Sequence, residues 1–209
     1  MGFKRVSEAV IKRLPRYYRH LLMLEGQGVE RISSEKLARQ MNLNASQVRQ
    51  DFNCFGGFGQ QGYGYNIHTL LGEIRGILAL DREHTIVIAG AGNIGRALTN
   101  FAGFEDSGFR VAALFDVNEQ LVGGEVNGHP VLHMDEMDAF IREHGVDIGV
   151  IAARRSAAQE IADRMAAAGV KGIWNFVPVD LKTQIPTENV HLSDSIGALS
   201  YKIEHGVLD

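Results

Sequence analysis

The sequence is poor in the groups that build disulfides, metal centres and membrane spans. Its one cysteine, Cys54, excludes an internal disulfide and any multi-cysteine metal site, so stability must come from buried apolar area. No apolar run of about 18 residues is present to span a bilayer. The basic start (Lys4, Arg5, Lys12, Arg13) is not followed by the unbroken apolar core of a secretion signal. The expected location is therefore cytoplasmic, with no membrane partner. The histidines, at positions 20, 68, 84, 129, 133, 144, 191 and 205, are scattered. His129 and His133 flank a short strand rather than share a helix face, so no metal site and no catalytic residue is assigned. A strong net charge is also missing. The value of −4, taken alone, argues against a nucleic-acid binder.

That average conceals a split. Residues 1–80 carry 11 Lys/Arg against 6 Asp/Glu, whereas residues 81–209 carry 10 against 19. A basic module joined to an acidic one suits a polyanion-binding domain attached to a sensing or assembly domain, although a solvated basic face gives the same count. The expected division is a DNA-binding domain over 1–80, a dinucleotide-binding domain over 81–192 and a C-terminal helix over 193–209.

In the basic third, Ser7 opens "EAVIKRL", and Pro15 is expected to end or restart that helix before "RYYRHLLMLEGQG", which would face Tyr18, Leu21, Leu22 and Leu24 to the core. "SSEKLARQMNL" offers Ser33 or Ser34 as a cap, with Leu37, Ala38 and Met41 on one face. After a turn at residues 42–44, Asn44 and Gln47 have the form of an N-capping pair opening "ASQVRQDFNCFG". A short helix, a three-residue turn and a helix with Val48 and Phe52 inward is the order of a helix-turn-helix. The outward Ser46, Gln47, Arg49, Gln50 and Asn53 suit a major groove. Arg grips guanine with two hydrogen bonds and Gln or Asn grips adenine likewise, whereas an ordinary solvated helix shows Glu and Lys. "GGFGQQGYGYNI" interleaves glycine with aromatics and amides, which permits a tight hairpin with strands at 58–60 and 63–65. Such a wing would set Gln60, Gln61 and Tyr63 near phosphate or the minor groove. A Gly-rich linker is the plain alternative. "HTLLGEIRGILAL" then reads as a helix with Leu70, Leu71, Ile74, Ile77 and Leu78 inward.

The acidic part opens with "TIVIAGAGNIGRAL", a buried-strand pattern followed by Gly90, Gly92 and Gly95 in G-x-G-x-x-G spacing and a helix. Gly90 would make the turn, Gly92 would let backbone approach a pyrophosphate, and Gly95 would let helix press on strand. The amides around Ala91, Asn93 and Ile94 would face the anion. A second strand, "RVAALFD", ends at Asp116, beside Val117. A carboxylate there accepts the ribose hydroxyls and repels a 2′-phosphate, which selects NAD(H) over NADP(H). Further strands and helices alternate: a strand near Val131, helix 135–144, strand 147–153, helix 156–169 and strand 172–176. That pattern implies an α/β, doubly wound parallel sheet of Rossmann type. Residues at strand C-terminal ends line the crevice, so Ala152, Ala153, Asn175, Phe176 and Pro178 are expected near ribose and nicotinamide. After Phe176 only about thirty residues remain, too few to enclose a second reactant as in a domain of ordinary size. Sensing is thus favoured over hydride transfer. Two rivals stay open: an NAD-dependent oxidoreductase with a helical accessory domain, and a thiol sensor acting through Cys54. "SDSIGALSYKIEHG" ends the chain as a helix capped by Ser193, with Ile196, Leu199, Ser200 and Ile203 in one stripe. It would fold back on its own sheet or reach a twin. DNA reading favours the twin, since a two-fold dimer reads a palindrome.

Set in order, "SSEKLARQMNLNASQVRQDFNCFGGFGQQGYGYNI", "IAGAGNIGRAL", "LFDVN" and "GIWNFVPV" make the whole chain resemble the Rex family of redox-sensing transcriptional repressors. The resemblance implies a winged helix-turn-helix, a Rossmann domain and a C-terminal dimerisation helix exchanged between subunits. It implies a homodimer that binds double-stranded operator DNA with NAD+ tolerated and releases it when NADH rises. Arg49 and Gln50 would face bases, and Gly90 to Gly95 would hold the diphosphate. At Gln50 the chain departs from relatives, which commonly carry Lys there.

Overall fold

The computed structural model describes residues 6–56, 63–101 and 108–206. The chain divides into two compact units, residues 1–81 and 82–208, one residue beyond the expected boundary. The C-terminal helix, expected as a separate segment, is grouped with the second unit.

The first unit opens with α1 (Glu8–Gly26), which runs through Pro15 without a break. The expectation that Pro15 ends or restarts the helix is corrected here. A proline inside a helix removes the bond to the carbonyl four residues back. Pro15 and Ile11 both lie on the exposed side, where water can take that carbonyl, while Val10, Leu14, Tyr17, Leu21 and Leu24 keep a buried stripe at helical spacing. The same spacing corrects the core face. Tyr17 is buried in place of Tyr18, which is half-buried, and Leu22 is exposed.

The helices α2 (Ser34–Gln40) and α3 (Ala45–Asn53) are each opened by a side-chain cap. Ser33 Oγ accepts the Lys36 N–H at 3.1 Å, and Asn44 Oδ1 accepts the Gln47 N–H at 2.8 Å. Such caps contribute about 1 kcal/mol each. Between the helices Asn42 takes φ 53°, a left-handed conformation that Asn tolerates. Val48 and Phe52 are fully buried, and Phe52 makes edge contacts with Tyr17 at 5.0 Å and Tyr65 at 5.1 Å. Two short strands, β1 (Arg31–Ile32) and β2 (Tyr65–Asn66), pair antiparallel, with Ile32 opposite Tyr65. This pairing was not expected from the sequence, and it leaves the expected hairpin of 58–60 with 63–65 untested. The strand at 58–60 lies outside the described residues, and the 63–65 strand begins at Tyr65 and pairs with β1. Gly64, at φ +69°, sits so close to the Ile32 carbonyl that a Cβ would lie 2.6 Å from its oxygen. That contact steers the chain onto β1. Asn66 Oδ1 then caps α4 (Ile67–Ile77) through the Thr69 N–H at 2.9 Å. Of its expected core residues Leu70, Leu71 and Ile74 are buried, whereas Ile77 and Leu78 are only half-buried.

The second unit is built on β3 (His84–Ala89), α5 (Asn93–Thr99), β4 (Phe109–Asp116), β5 (Glu125–Val126), β6 (His129–His133), α6 (Met137–His144), β7 (Ile148–Ile151), α7 (Ala158–Ala168), β8 (Gly172–Asn175), β9 (Thr187–Asn189) and α8 (Leu192–His205). Among the described residues the sheet has the order β5-β6-β4-β3-β7-β8-β9, parallel except for β5. From β6 to β9 this is the doubly wound order, with its switch point between β3 and β7. Along β3, Val87 and Ala89 enter one core while Ile86 and Ile88 enter the other, as the two-residue period demands of a strand covered on both faces. A register shift after Ile86 keeps that sorting, pairing Ile86 with Val111 and Val87 with Ala113.

Asp147 ties the strand starts together. Its Oδ2 accepts the Thr85 N–H at 3.0 Å, and its Oδ1 accepts Lys171 Nζ at 2.6 Å. Burial opposes its ionisation, but the bonds from Lys171 and Thr85 outweigh that and hold the carboxyl below the ordinary range. A carboxylate with a depressed folded value stabilises above its unfolded value, about pH 4, and loses that contribution as the pH falls through the folded one. Melting temperatures between pH 5 and pH 3 are therefore expected to fall more steeply in the natural protein than in Asp147→Asn. At pH 7 the variant is expected to melt about 3 °C lower, equivalent to about 1 kcal/mol at this chain length.

The N-cap position of the last helix, α8, falls at His191, whose side chain makes no capping bond; this corrects Ser193 as the N-cap, since Ser193 lies inside the first turn. Ile196, Leu199, Tyr201 and Ile203 are more than half exposed, so the helix does not bury its apolar stripe on its own sheet.

Candidate nucleic-acid interface and dinucleotide site

On α3 the inward pair Val48 and Phe52 leaves Ser46, Arg49, Gln50 and Asn53 exposed, while Gln47 is half-buried. Arg49 is held at both ends of its fork. Nη1 donates to Ser34 Oγ at 3.1 Å, and Nη2 donates to Ser46 Oγ at 3.2 Å. Two hydroxyls reduce the rotamer freedom of a long cation before any partner arrives, and both bonds can be exchanged for a base edge or phosphate. Tyr63 is 73% exposed, and its carbonyl accepts Arg31 Nε at 3.2 Å. Gln60 and Gln61 lie outside the described residues. Cys54 is the C-cap of α3, exposed, with Sγ donating to the Gln50 carbonyl at 3.3 Å. Cys54 thus stands one helical turn beyond Gln50 on the exposed side.

The inner side of α3 holds a cluster that periodicity did not single out. Asp51 is 2% exposed and accepts Arg13 Nε at 2.7 Å, Arg13 Nη2 at 2.8 Å and the Tyr17 hydroxyl at 2.8 Å. Burial first, and then the bond to Asp51, pushes the Tyr17 hydroxyl well above its ordinary range. The clue was present: a lone Asp at i+3 from Val48, on the core face, demands a partner.

In the second unit, each glycine after β3 meets a different constraint. Gly90 has φ +108°, and a Cβ there would lie 2.5 Å from the Ala152 carbonyl oxygen. A Cβ on Gly95 would collide with the Gly90 carbonyl, whereas one on Gly92 would meet open space. Gly92 is thus the place where the loop backbone can be approached from outside. The first helical N–H groups, starting at Asn93 and Ile94, have no partners within the helix. Asp116, at the end of β4, accepts the Ala91 N–H at 2.7 Å through Oδ2 and the Asn118 N–H at 2.9 Å through Oδ1. Arg96 Nε takes the Ala91 carbonyl at 3.0 Å. Ala91 is therefore fixed on both sides, and a carboxylate with about four acceptor sites still has two to offer. Val117 beside it is 65% exposed.

Across the switch point, Ala152 and Ala153 are half-buried at the end of β7, and Ala152 N–H pairs with the Ala89 carbonyl at 2.8 Å. Phe176 is half-buried against Trp174, with ring centroids 4.6 Å apart, and Pro178 is exposed. Asn175 departs from its expected place beside a ribose. It is fully buried: Nδ2 donates to the carbonyls of Val177 and Val179 and to Asn189 Oδ1, and Oδ1 accepts the Val177 N–H. With donors and acceptor committed, this amide shapes the 177–179 turn and fastens β9 to β8. Among the described residues no group of three or more His, Cys, Asp or Glu is placed to hold a metal ion. Nor is any described helix long and apolar enough to cross a membrane.

A helix-turn-helix unit followed by a doubly wound nucleotide-type unit is the build of a ligand-responsive transcriptional regulator. Two family models cover those units: "Putative DNA-binding protein N-terminus" matches residues 5–53, and "CoA binding domain" matches residues 81–179. The redox-sensing transcriptional repressor Rex of Clostridium beijerinckii is 48% identical over 200 residues, covering 95% of each chain. That of Clostridioides difficile is 46% identical over 208 residues, covering 99% of each. A crystal structure of RSP in complex with beta-NAD+ and operator DNA superposes with a TM-score of 0.92 at 46% identity, covering 97% of this chain and 94% of that one. RSP is itself described as a Rex-family repressor and has also been solved with beta-NADH. The chain belongs to the Rex family of redox-sensing transcriptional repressors.

Proposed function

We propose that the chain is a homodimeric repressor that binds palindromic double-stranded operator DNA through its N-terminal unit and leaves it when NADH binds the C-terminal unit. The observation that carries this reading is the coexistence, in one chain, of a serine-held Arg49 on an exposed helix and a glycine turn pinned by Asp116. In the protein–DNA complex Arg49 would exchange its two serine partners for a base edge. Gln50 and Asn53 would add amide contacts, and Ser46 and Gln47, near the start of α3, would meet the backbone. Gln60, Gln61 and Tyr63 belong to the segment that would reach phosphate or the minor groove.

Gly90, Ala91, Gly92, Asn93, Ile94 and Gly95 would hold the diphosphate, the open space over Gly92 being the cradle that a Cβ would fill. Asp116 would accept the ribose hydroxyls, with Val117 beside the adenine. Ala152, Ala153, Phe176 and Pro178 would line the nicotinamide end. The dinucleotide supplies a ring that is positively charged in NAD+ and neutral in NADH. Apolar Phe176 would favour the neutral form, since burying a charge without a partner is costly. NADH then lowers operator affinity only to the extent that it binds the off-DNA state better.

The exposed stripe of Ile196, Leu199 and Ile203 on α8 would be covered by a second copy, giving the two-fold symmetry that a palindrome requires. The chain acts in the cytoplasm as a binding protein, not an enzyme. Calorimetric titration is expected to give tighter binding of NADH than of NAD+, and incubation with candidate hydroxy acids is expected to give no steady hydride turnover. Sustained turnover with one such substrate would favour the oxidoreductase reading instead.

A further inference from the structure

From the Arg13–Tyr17–Asp51 cluster we infer that Arg13 and Tyr17, acting through Asp51, set the rotation of α3 about its own axis and thereby the register of its base-reading side chains; the inference rests on the function proposed above. Apart from the bond of Arg49 to Ser34 on the exposed side, the other side-chain contacts described between α3 and its neighbours are apolar. Val48 and Phe52 sit in a cluster with Tyr17, Leu37 and Tyr65. Burial of this kind is non-directional, so it fixes how deeply a helix sits better than how far it is turned. A rotation of about 20° would carry side chains at the outer radius of a helix by about 2 Å, enough to break hydrogen bonds to base edges.

The cluster supplies the missing direction. The guanidinium of Arg13 is a rigid fork, and both its prongs reach the carboxylate of Asp51, at 2.7 and 2.8 Å. The Tyr17 hydroxyl fixes Asp51 Oδ2 from a second position on α1, at 2.8 Å. Three bonds from two points on a 19-residue helix leave the carboxylate one orientation. Asp51 directly follows Gln50 and stands two residues beyond Arg49, so its orientation dictates theirs. The Arg13 side chain retains 17% of its exposure and that of Asp51 only 3%. A pair so buried adds little to stability, because desolvation offsets attraction, and apolar residues of similar volume often serve stability as well or better. Stability alone therefore does not account for placing a charge on the core side of the helix. Directional hold does. Arg13, Tyr17 and Asp51 are positioning residues in this account: they touch no base.

The test uses the full-length protein and a palindromic duplex selected from a randomised pool by the unmodified protein, with a scrambled duplex of equal length as reference. The triple variant Arg13→Met, Tyr17→Phe, Asp51→Leu is expected to melt at or above the natural temperature and to keep its affinity for NADH and for scrambled DNA within about twofold. Its preference for the selected duplex is expected to fall at least tenfold. Arg13→Lys, which keeps the charge and loses the fork, is expected to lose part of the preference, and Asp51→Asn most of it. A folded triple variant that retains the natural preference would overturn the inference, leaving the cluster as packing. Should the triple variant lose the N-terminal fold, Arg13→Lys decides: full preference overturns, partial loss supports. An unmodified protein that selects no duplex from the pool would instead contradict the proposed function itself.

Discussion

Replacing Arg49 with Ala is expected to weaken operator binding by between about 30-fold and 10⁴-fold, with nucleotide affinity unchanged. A two-pronged arginine contact to a base discriminates by about 1–3 kcal/mol, and a two-fold dimer loses it twice. The structure favours the upper part of that range, because Arg49 is already ordered by Ser34 and Ser46 and repays little entropy on binding. The loss should be concentrated on the selected duplex. A residue that contacted phosphate alone would weaken all duplexes alike and lower the salt slope by about one. Fluorescence anisotropy on selected and scrambled duplexes at two salt concentrations separates these outcomes. An Arg49→Ala protein with natural operator affinity would remove α3 from the reading surface. The exposed Gln50 should contribute less, since it lacks the two serine partners that hold Arg49.

The second large effect is expected at Gly95. Its added Cβ would collide with the Gly90 carbonyl, which belongs to backbone at the turn and cannot step aside like a flexible side chain. Gly95→Ala must therefore push α5 away from the end of β3 or distort the Gly90 turn, at about 1–3 kcal/mol. Either displacement takes Ala91 from the grip of Asp116 and Arg96, so the amides proposed to hold the diphosphate lose their arrangement. NADH affinity is expected to drop more than tenfold. In electrophoretic mobility shifts the variant should still retard operator DNA, and added NADH should no longer release it at concentrations that clear the natural protein. A variant released at the natural NADH concentration would show that the glycine turn is not where the signal enters. Gly92→Ala is the contrasting substitution: with open space over it, the fold should survive and only ligand approach should suffer.

Much of this architecture was legible because it is written in local chemistry. Ser33, Asn44 and Asn66 are short polar side chains placed to accept an amide three residues on, and Ser33 and Asn44 did mark their helices. The glycine spacing after "TIVIA" located the doubly wound unit because Gly90 and Gly95 answer steric demands that a side chain would violate, while Gly92 leaves the loop open. What escaped was non-local. β1 and β9 are two and three residues long, and β9 is a polar edge strand, so neither leaves a periodic trace. β9 exists because β8 offers it parallel bonds and Asn175 reaches Asn189. Asn175 itself was read as a ligand contact from its place at a strand end, the right rule for backbone position and the wrong one for a side chain that turns inward. Pro15 misled for a related reason: its penalty depends on whether water can reach one carbonyl, which only the packing of α1 decides. Asp51 looked like one acid among others until the fold brought residues 13 and 17 beneath it.

The central claim is that the oxidation level of a nicotinamide dinucleotide controls how tightly this protein holds DNA. Operator affinity titrated at saturating NAD+ and again at saturating NADH tests it most directly. The account predicts weaker binding with NADH by at least tenfold, a coupling of about 1.4 kcal/mol or more. Equal affinities under the two conditions would contradict it.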